Sequence, residues 1–184
     1  MKIATGLSLL LFPLISFAVP SWKIIPSEST ITFTATQNDA PVKGAFKSFT
    51  GDIHGEPSDL KASRVKIVVD TGSVDTAYGQ VASTLKTAEW FNVAQFPKAV
   101  FTADNFTKTG KDAYSAKGML TIRKQTVPVT LNFVLKDYTS EGFEAVGSTT
   151  IQRLSFGVGQ GSWSKTDSIK DNVEVQFTLK ASKA

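Results

Sequence analysis

The sequence predicts an all-β fold of antiparallel strands around a dry interior. Three observations carry that expectation: a hydrophobic period of two over most of the chain, turn signals between the alternating runs, and one short run with helical spacing. In the first run, Ile31, Phe33 and Ala35 alternate with Thr30, Thr32, Thr34 and Thr36. Strict alternation means one dry and one wet face. It belongs to antiparallel sheets, because parallel strands are apolar on both sides.

The same pattern recurs along the chain. It is less pure in Val42 to Phe46, Phe49 to His54, Arg64 to Asp70, Ala99 to Phe106, Tyr114 to Ile122 and Phe143 to Arg153. It is purest in Thr126 to Asp137, where Val127, Val129, Leu131, Phe133 and Leu135 share a face, and in Asn172 to Lys180. Gly55-Glu56-Pro57, Thr109-Gly110-Lys111-Asp112 and Ser140-Glu141-Gly142 supply turns. Eight or nine strands with one dry face each require a closed barrel or a sandwich. A barrel of about eight strands also removes the exposed edges. Between Ala77 and Phe91 the period changes: Val81, Leu85 and Ala88 recur at spacings of four and three. That predicts a short helix across one end, closed by Trp90 and Phe91.

The first eighteen residues are expected to be removed. Lys2, the apolar run Ile3 to Ile15 and the small residues Ser16 and Ala18 match a secretory signal peptide. The apolar run falls short of the ~20 residues that span a bilayer. The remaining residues 19–184 suit one domain with its own core. Without Lys2, 19 basic residues stand against 16 acidic ones, scattered without a stripe that could track phosphates, so no nucleic-acid partner is expected. The chain has no cysteine, which excludes disulfides and thiolate chemistry. Export without cysteine suggests the periplasm.

Chemistry-bearing motifs are sparse. His54 is the only histidine and falls out of phase with Phe49, Gly51 and Ile53, so it should point outward, without the partners of a triad or a metal site. Gly157-Val158-Gly159-Gln160-Gly161 lacks the following helix that phosphate-cradling loops need, and reads as a wide turn between strands. Arg153 continues the apolar phase of Phe143, Ala145, Gly147, Thr149 and Ile151. A guanidinium pointing inward needs partners. These are either a carboxylate that ties the barrel end shut or the polar head of a ligand. Thirteen Phe and three Trp are many for this length. Phe33, Phe46, Phe49, Phe101, Phe133, Phe156 and Phe177 fit inward positions, and Gly44, Gly118 and Gly147 interrupt strands where space or a bend is needed. The pattern fits a filled core or an elongated apolar cavity equally well.

The chain resembles the YceI-like family. The resemblance rests on Trp22-Lys23-Ile24, Ser29-Thr30-Ile31-Thr32-Phe33, Val42-Lys43-Gly44-Ala45-Phe46 and Phe49-Thr50-Gly51-Asp52-Ile53. It continues through Ser73-Val74-Asp75-Thr76, Leu85-Lys86-Thr87-Ala88-Glu89-Trp90-Phe91-Asn92 and Phe96-Pro97-Lys98-Ala99-Val100-Phe101. It ends in Gly118-Met119-Leu120-Thr121-Ile122, Val127-Pro128-Val129, Ile151-Gln152-Arg153-Leu154-Ser155-Phe156-Gly157 and Trp163. It implies a periplasmic, lipocalin-like barrel that binds a long isoprenoid or other amphiphilic lipid, such as a quinone or polyprenyl phosphate, without enzymatic activity or a cofactor. Val81-Ala82 depart from the charged pair frequent in the family's helix. The Phe156-Gly157-Val158-Gly159 and Trp163 region resembles the branch found with b-type cytochromes, which implies a membrane cytochrome as a further partner.

The expected ligand-binding residues are Phe33, Phe46, Phe49, Trp90, Phe91, Phe101, Leu120, Phe133, Arg153, Phe156 and Phe177, with no catalytic or metal-binding residue. The oligomeric state stays open, a homodimer being one option. Competing readings are an interaction module with a filled barrel that serves a membrane b-type cytochrome or a stress-response partner, a scavenger of lipophilic toxins, and a lipid hydrolase, which the lone outward histidine disfavours.

Overall fold

Alternation along the chain becomes eleven strands in a computed structural model that describes residues 19–184. The export segment expected over residues 1–18 lies outside the described residues. The strands are β1 (Ser21–Ile24), β2 (Thr30–Gln37), β3 (Ala40–Phe46), β4 (Phe49–Glu56), β5 (Asp59–Asp70), β6 (Val74–Thr76), β7 (Lys98–Lys108), β8 (Ala113–Ile122), β9 (Gln125–Lys136), β10 (Gly142–Gln152) and β11 (Asn172–Lys183). One helix, α1 (Gly79–Lys86), interrupts them.

Three pairs of strands are single staves with a break. β11 pairs with β2 through Thr178↔Thr30 and then with β1 through Ala181↔Ile24. The 3-10 turn Pro26–Glu28 separates β1 from β2. There Ser29 patches the ladder: its hydroxyl donates to Ile25 O (2.8 Å) and accepts the Lys180 N–H (2.9 Å). β3 and β4 break at Lys47 and Ser48, where the neighbour changes from β6 to β5. Ser73 bridges that change, its hydroxyl accepting the Ser48 N–H at 3.0 Å. With β5 and β6 joined likewise, the sheet is a closed antiparallel barrel of eight staves, up and down, sealed by β11 against β1 and β2. Every stave is paired on both sides, which is how a barrel abolishes its edges.

The reading of β10 changes at its end. The ladder stops at Gln152, and Arg153 opens a 3-10 turn, Arg153–Phe156. The helix is also shorter than its hydrophobic spacing predicts. It closes at Lys86, because the Thr87 hydroxyl donates to Thr84 O (2.8 Å) and competes with the helical bonds. Residues 87–97 continue as turns, with Asn92 in the left-handed region (φ 51°). Two strands were invisible to alternation: β1 and β6 are only four and three residues long.

The glycines within strands leave space, as the sequence reading suggested, and rings fill it. A Cβ on Gly118 would stand 2.6 Å from Phe101 Cζ, and one on Gly147 2.7 Å from Phe177 Cζ. Each ring lies over a glycine of the neighbouring strand. Ile31, Phe49, Ile67, Phe101, Ala103, Ala116 and Leu179 form the tight waist of the interior. The upper end carries α1 and the loop 153–171; the lower end carries the hairpin turns after β4, β7 and β9.

Candidate ligand cavity

The inward side chains of β9, Val127, Val129, Leu131, Phe133 and Leu135, are all only half-buried. In a packed barrel they would be buried, since interiors reach crystal-like density. Their accessibility marks open space inside the barrel. Two cavities occupy it. The upper one measures about 520 Å³ and the lower about 130 Å³. They share no lining residue, and the waist stands between them. The solid core allowed by the sequence is therefore not what the barrel contains.

The expected site residues divide between these compartments. Phe33, Phe46, Trp90, Phe91, Leu120, Arg153 and Phe156 line the upper cavity. Phe101, Phe133 and Phe177 line the lower one. Phe49 lines neither and is packed into the waist. Several lining residues were missed. β2 and β11 add Ile31, Ala35, Val173 and Val175, which the period-two pattern could have supplied. Tyr78, Gln80, Thr84 and Trp163 could not be found that way, because they sit on the helix and loops over the upper end. Val81, at the departure from the family's charged pair, also faces this cavity.

Arg153 points inward as its phase predicts, with only 3% of its surface exposed, but among the described residues it pairs with no carboxylate. Its Nε donates to Lys170 O (3.1 Å). One terminal nitrogen donates to Val158 O and Gly159 O (3.0 and 3.3 Å), and the other to Trp163 O and Ile169 O (2.8 and 2.9 Å). All five donors of the guanidinium are thus spent on carbonyls. The loop can curl this tightly because Gly157, Gly159 and Gly161 adopt φ of 67°, 85° and 62°. Burial lowers the Arg153 pKa from its ordinary value, and Asp171 partly opposes the shift. The cation also lies 5.7 Å from the Trp90 ring, a cation–π distance.

A second arginine ties the loop to the turns after α1. Arg123 donates to Trp90 O (2.6 Å) and Gly157 O (2.9 Å). Trp163 stacks obliquely on Trp90, 5.6 Å between centroids, and donates its indole N–H to Glu89 (2.8 Å). The upper rim is therefore a set irregular structure rather than a slack loop. The lower end is closed by aromatic rings: Trp22 meets Phe143 and Tyr138 edge-on at 5.3 and 5.6 Å, and its N–H donates to Gly55 O.

His54 turns outward as expected, yet it has partners that the sequence reading denied it. Its ring nitrogens lie 2.8 Å from Ser21 Oγ and 2.8 Å from Asp52 Oδ1. Ser21 stands directly across the β1–β4 ladder and Asp52 two residues back on the same face. This trio lies on the outer wall. β1 is paired on both sides, so its N–H groups serve ladders rather than an oxyanion hole.

Fold and cavity together define a calyx: an antiparallel barrel that encloses an apolar cavity under a helix and a loop. Residues 22–181 match the family model of the YceI-like domain. The chain belongs to the YceI-like family. Protein YceI of Salmonella arizonae is 32% identical over 138 residues, which cover 71% of this chain and 72% of the relative. Among solved structures, BcnA of Burkholderia cenocepacia superposes with a TM-score of 0.81 at 24% identity, over 85% of this chain and 98% of that one. A polyisoprenoid binding domain from Saccharophagus degradans gives 0.73 at 12% identity, over 90% and 99%. At these identities the structures show the shared fold.

Proposed function

We propose that the protein is a non-enzymatic periplasmic carrier that holds a long isoprenoid, or a similar amphiphilic lipid, inside the barrel. The observation that carries this is the upper cavity of about 520 Å³, walled by Phe33, Phe46, Val69, Phe91, Leu120 and Val175. The YceI-like family and the polyisoprenoid binding domain of similar fold support the ligand class. The signal-like start of the sequence supports the compartment.

The physics needs no ionic anchor. Each methylene taken from water contributes ~0.8 kcal/mol, so a few isoprene units give useful affinity after the cost of association. The cavity is largely pre-formed, which keeps that cost low. The test is direct: purify the protein from its native compartment, extract it with organic solvent and analyse the extract by mass spectrometry. An isoprenoid or similar lipid in stoichiometric amount is expected. Repeated absence of lipid, with no uptake of added polyprenols or quinones, would overturn the reading.

A further inference from the structure

The polar groups of the upper cavity are distributed unevenly. Its wall is apolar toward the waist, and the polar side chains lie at the mouth. Gln37 stands at the end of β2; Tyr78, Gln80 and Thr84 lie at the start of α1 and along it. Among the described residues none of these four side chains has a hydrogen-bond partner. By contrast, Thr71 donates to Phe96 O (2.9 Å) and Trp163 to Glu89. Among the described residues the one charged side chain in the lining is Arg153, and its five donors are held by carbonyls. Lys170, close to the mouth in the chain, is paired with Asp39 at 3.6 Å. Among the described residues the Trp90 indole N–H has no acceptor, but it is buried and not open to the cavity.

We infer that the head group this cavity accepts is uncharged: the carbonyl of a quinone, the hydroxyl of a polyprenol or an amide, and not a phosphate. The inference rests on the lipid-carrier reading and narrows its ligand class. A phosphate brings a charge of about −1.5 to −2 at neutral pH. Within the lining it would meet only neutral donors and a guanidinium already saturated by carbonyls. To reach Arg153 it would have to break bonds that hold the loop 153–171. Burying a charge without a released counter-charge is costly. A carbonyl or hydroxyl carries no such penalty. It can accept from the Gln80 or Gln37 amide or from the Thr84 or Tyr78 hydroxyl, and a hydroxyl can also donate to the amide oxygens.

The experiment compares one chain with two heads. The full-length mature protein is titrated with farnesol, farnesyl monophosphate, geranylgeraniol and geranylgeranyl monophosphate. Quenching of tryptophan fluorescence is the readout, since Trp90 and Trp163 line the cavity. The alcohols are expected to bind at least tenfold more tightly than the phosphates. Gln80→Lys, on an exposed helical position, should reverse the order by raising phosphate affinity, while Gln80→Leu combined with Thr84→Val should weaken only the alcohols. Phosphates that bind as tightly as the alcohols, or bind through salt-sensitive contacts unaffected by Gln80→Lys, would overturn the uncharged-head inference and leave the carrier reading standing. If no chain binds whatever its head, the carrier reading itself fails, and the inference fails with it.

Discussion

The two ends of the barrel interior are made by the same alternation of side chains and come out different. The lower compartment, about 130 Å³, is closed by rings: Trp22, Tyr138 and Phe143 touch edge-on or stacked, and Tyr114 stacks on Phe133 at 5.7 Å. The upper compartment, about 520 Å³, is covered by α1 and the loop 153–171, and no residue of α1 is buried. Tight hairpins let neighbouring strands bring rings together, as around Phe143 and Tyr138. The long excursions between β6 and β7 and between β10 and β11 span the barrel mouth without filling it. The difference separates two duties: the lower end holds the fold together, and the upper end leaves room for a ligand.

The largest expected effect tests the lower end. Trp22 is 3% exposed, packs on two rings and donates its N–H to Gly55 O (2.8 Å). Trp22→Ala should cost ~3–5 kcal/mol of stability, the usual range for losing a large buried ring, as read by urea unfolding. Under conditions where the variant stays folded, its affinity for a lipid should change less than threefold. A large loss of affinity with a small loss of stability would reverse the assignment of duties.

The next effect tests whether the upper rim is a fixed structure. Arg153→Ala removes a cation from six carbonyl oxygens and takes away their donor, several of them buried. The expected cost is ~3 kcal/mol, with fast amide exchange confined to residues 157–171. Uniform loosening of the whole barrel would mean that Arg153 serves the core rather than the rim.

A smaller effect separates space from stability. Val81 lies half-buried on α1 and faces the upper cavity. Val81→Trp should fill part of the mouth and weaken lipid binding about tenfold, or ~1.4 kcal/mol, with little change in melting temperature. Unchanged binding would place the ligand elsewhere. Gly118 is unsuitable for such a test, because a side chain there would collide with the backbone oxygen of Thr102 as well as the Phe101 ring.

The fold was legible because alternation is a local property. Val127 to Leu135 on β9 and Val173 to Leu179 on β11 declare their dry faces residue by residue, and a dry face on every strand asks for closure. The breaks were not legible. Nothing in Pro26 to Ser29 or Lys47-Ser48 announces that one stave is shared by two strands, because the cause is which neighbour each half pairs with. The apolar wall of the site followed from the same phase, as Phe33, Leu120 and Phe177 show. Its mouth did not follow, because Gln80 and Thr84 sit on α1 and Trp163 on the loop 153–171, whose placement over the barrel depends on tertiary contacts. Arg153 lies between these cases. Its inward direction could be read from phase, but its carbonyl partners come from a loop that folds back on it. The Ser21–His54–Asp52 trio was missed for a related reason, since Ser21 reaches His54 only across a ladder.

The smallest effect concerns the lower end and follows from Tyr138. This residue stacks on Phe143 (centroids 6.2 Å) and meets Trp22 edge-on, while 37% of its surface is exposed. Partial burial raises its pKa above the ordinary value of 10.0, and the charge of Glu56 raises it further. The folded state therefore holds the phenol proton more tightly than the unfolded chain does. The stability linked to it is fully present below pH 10 and is lost as pH rises through the folded pKa. Titration of the phenol absorbance should contain a late step, above the ordinary tyrosine range, and Tyr138→Phe should remove that step. The same substitution should flatten the fall of stability above pH 10 while leaving stability at pH 7 nearly unchanged, since the ring contacts survive. A late step that persists in Tyr138→Phe would assign it to another tyrosine and detach Glu56 and Tyr138 from the alkaline stability of the lower end.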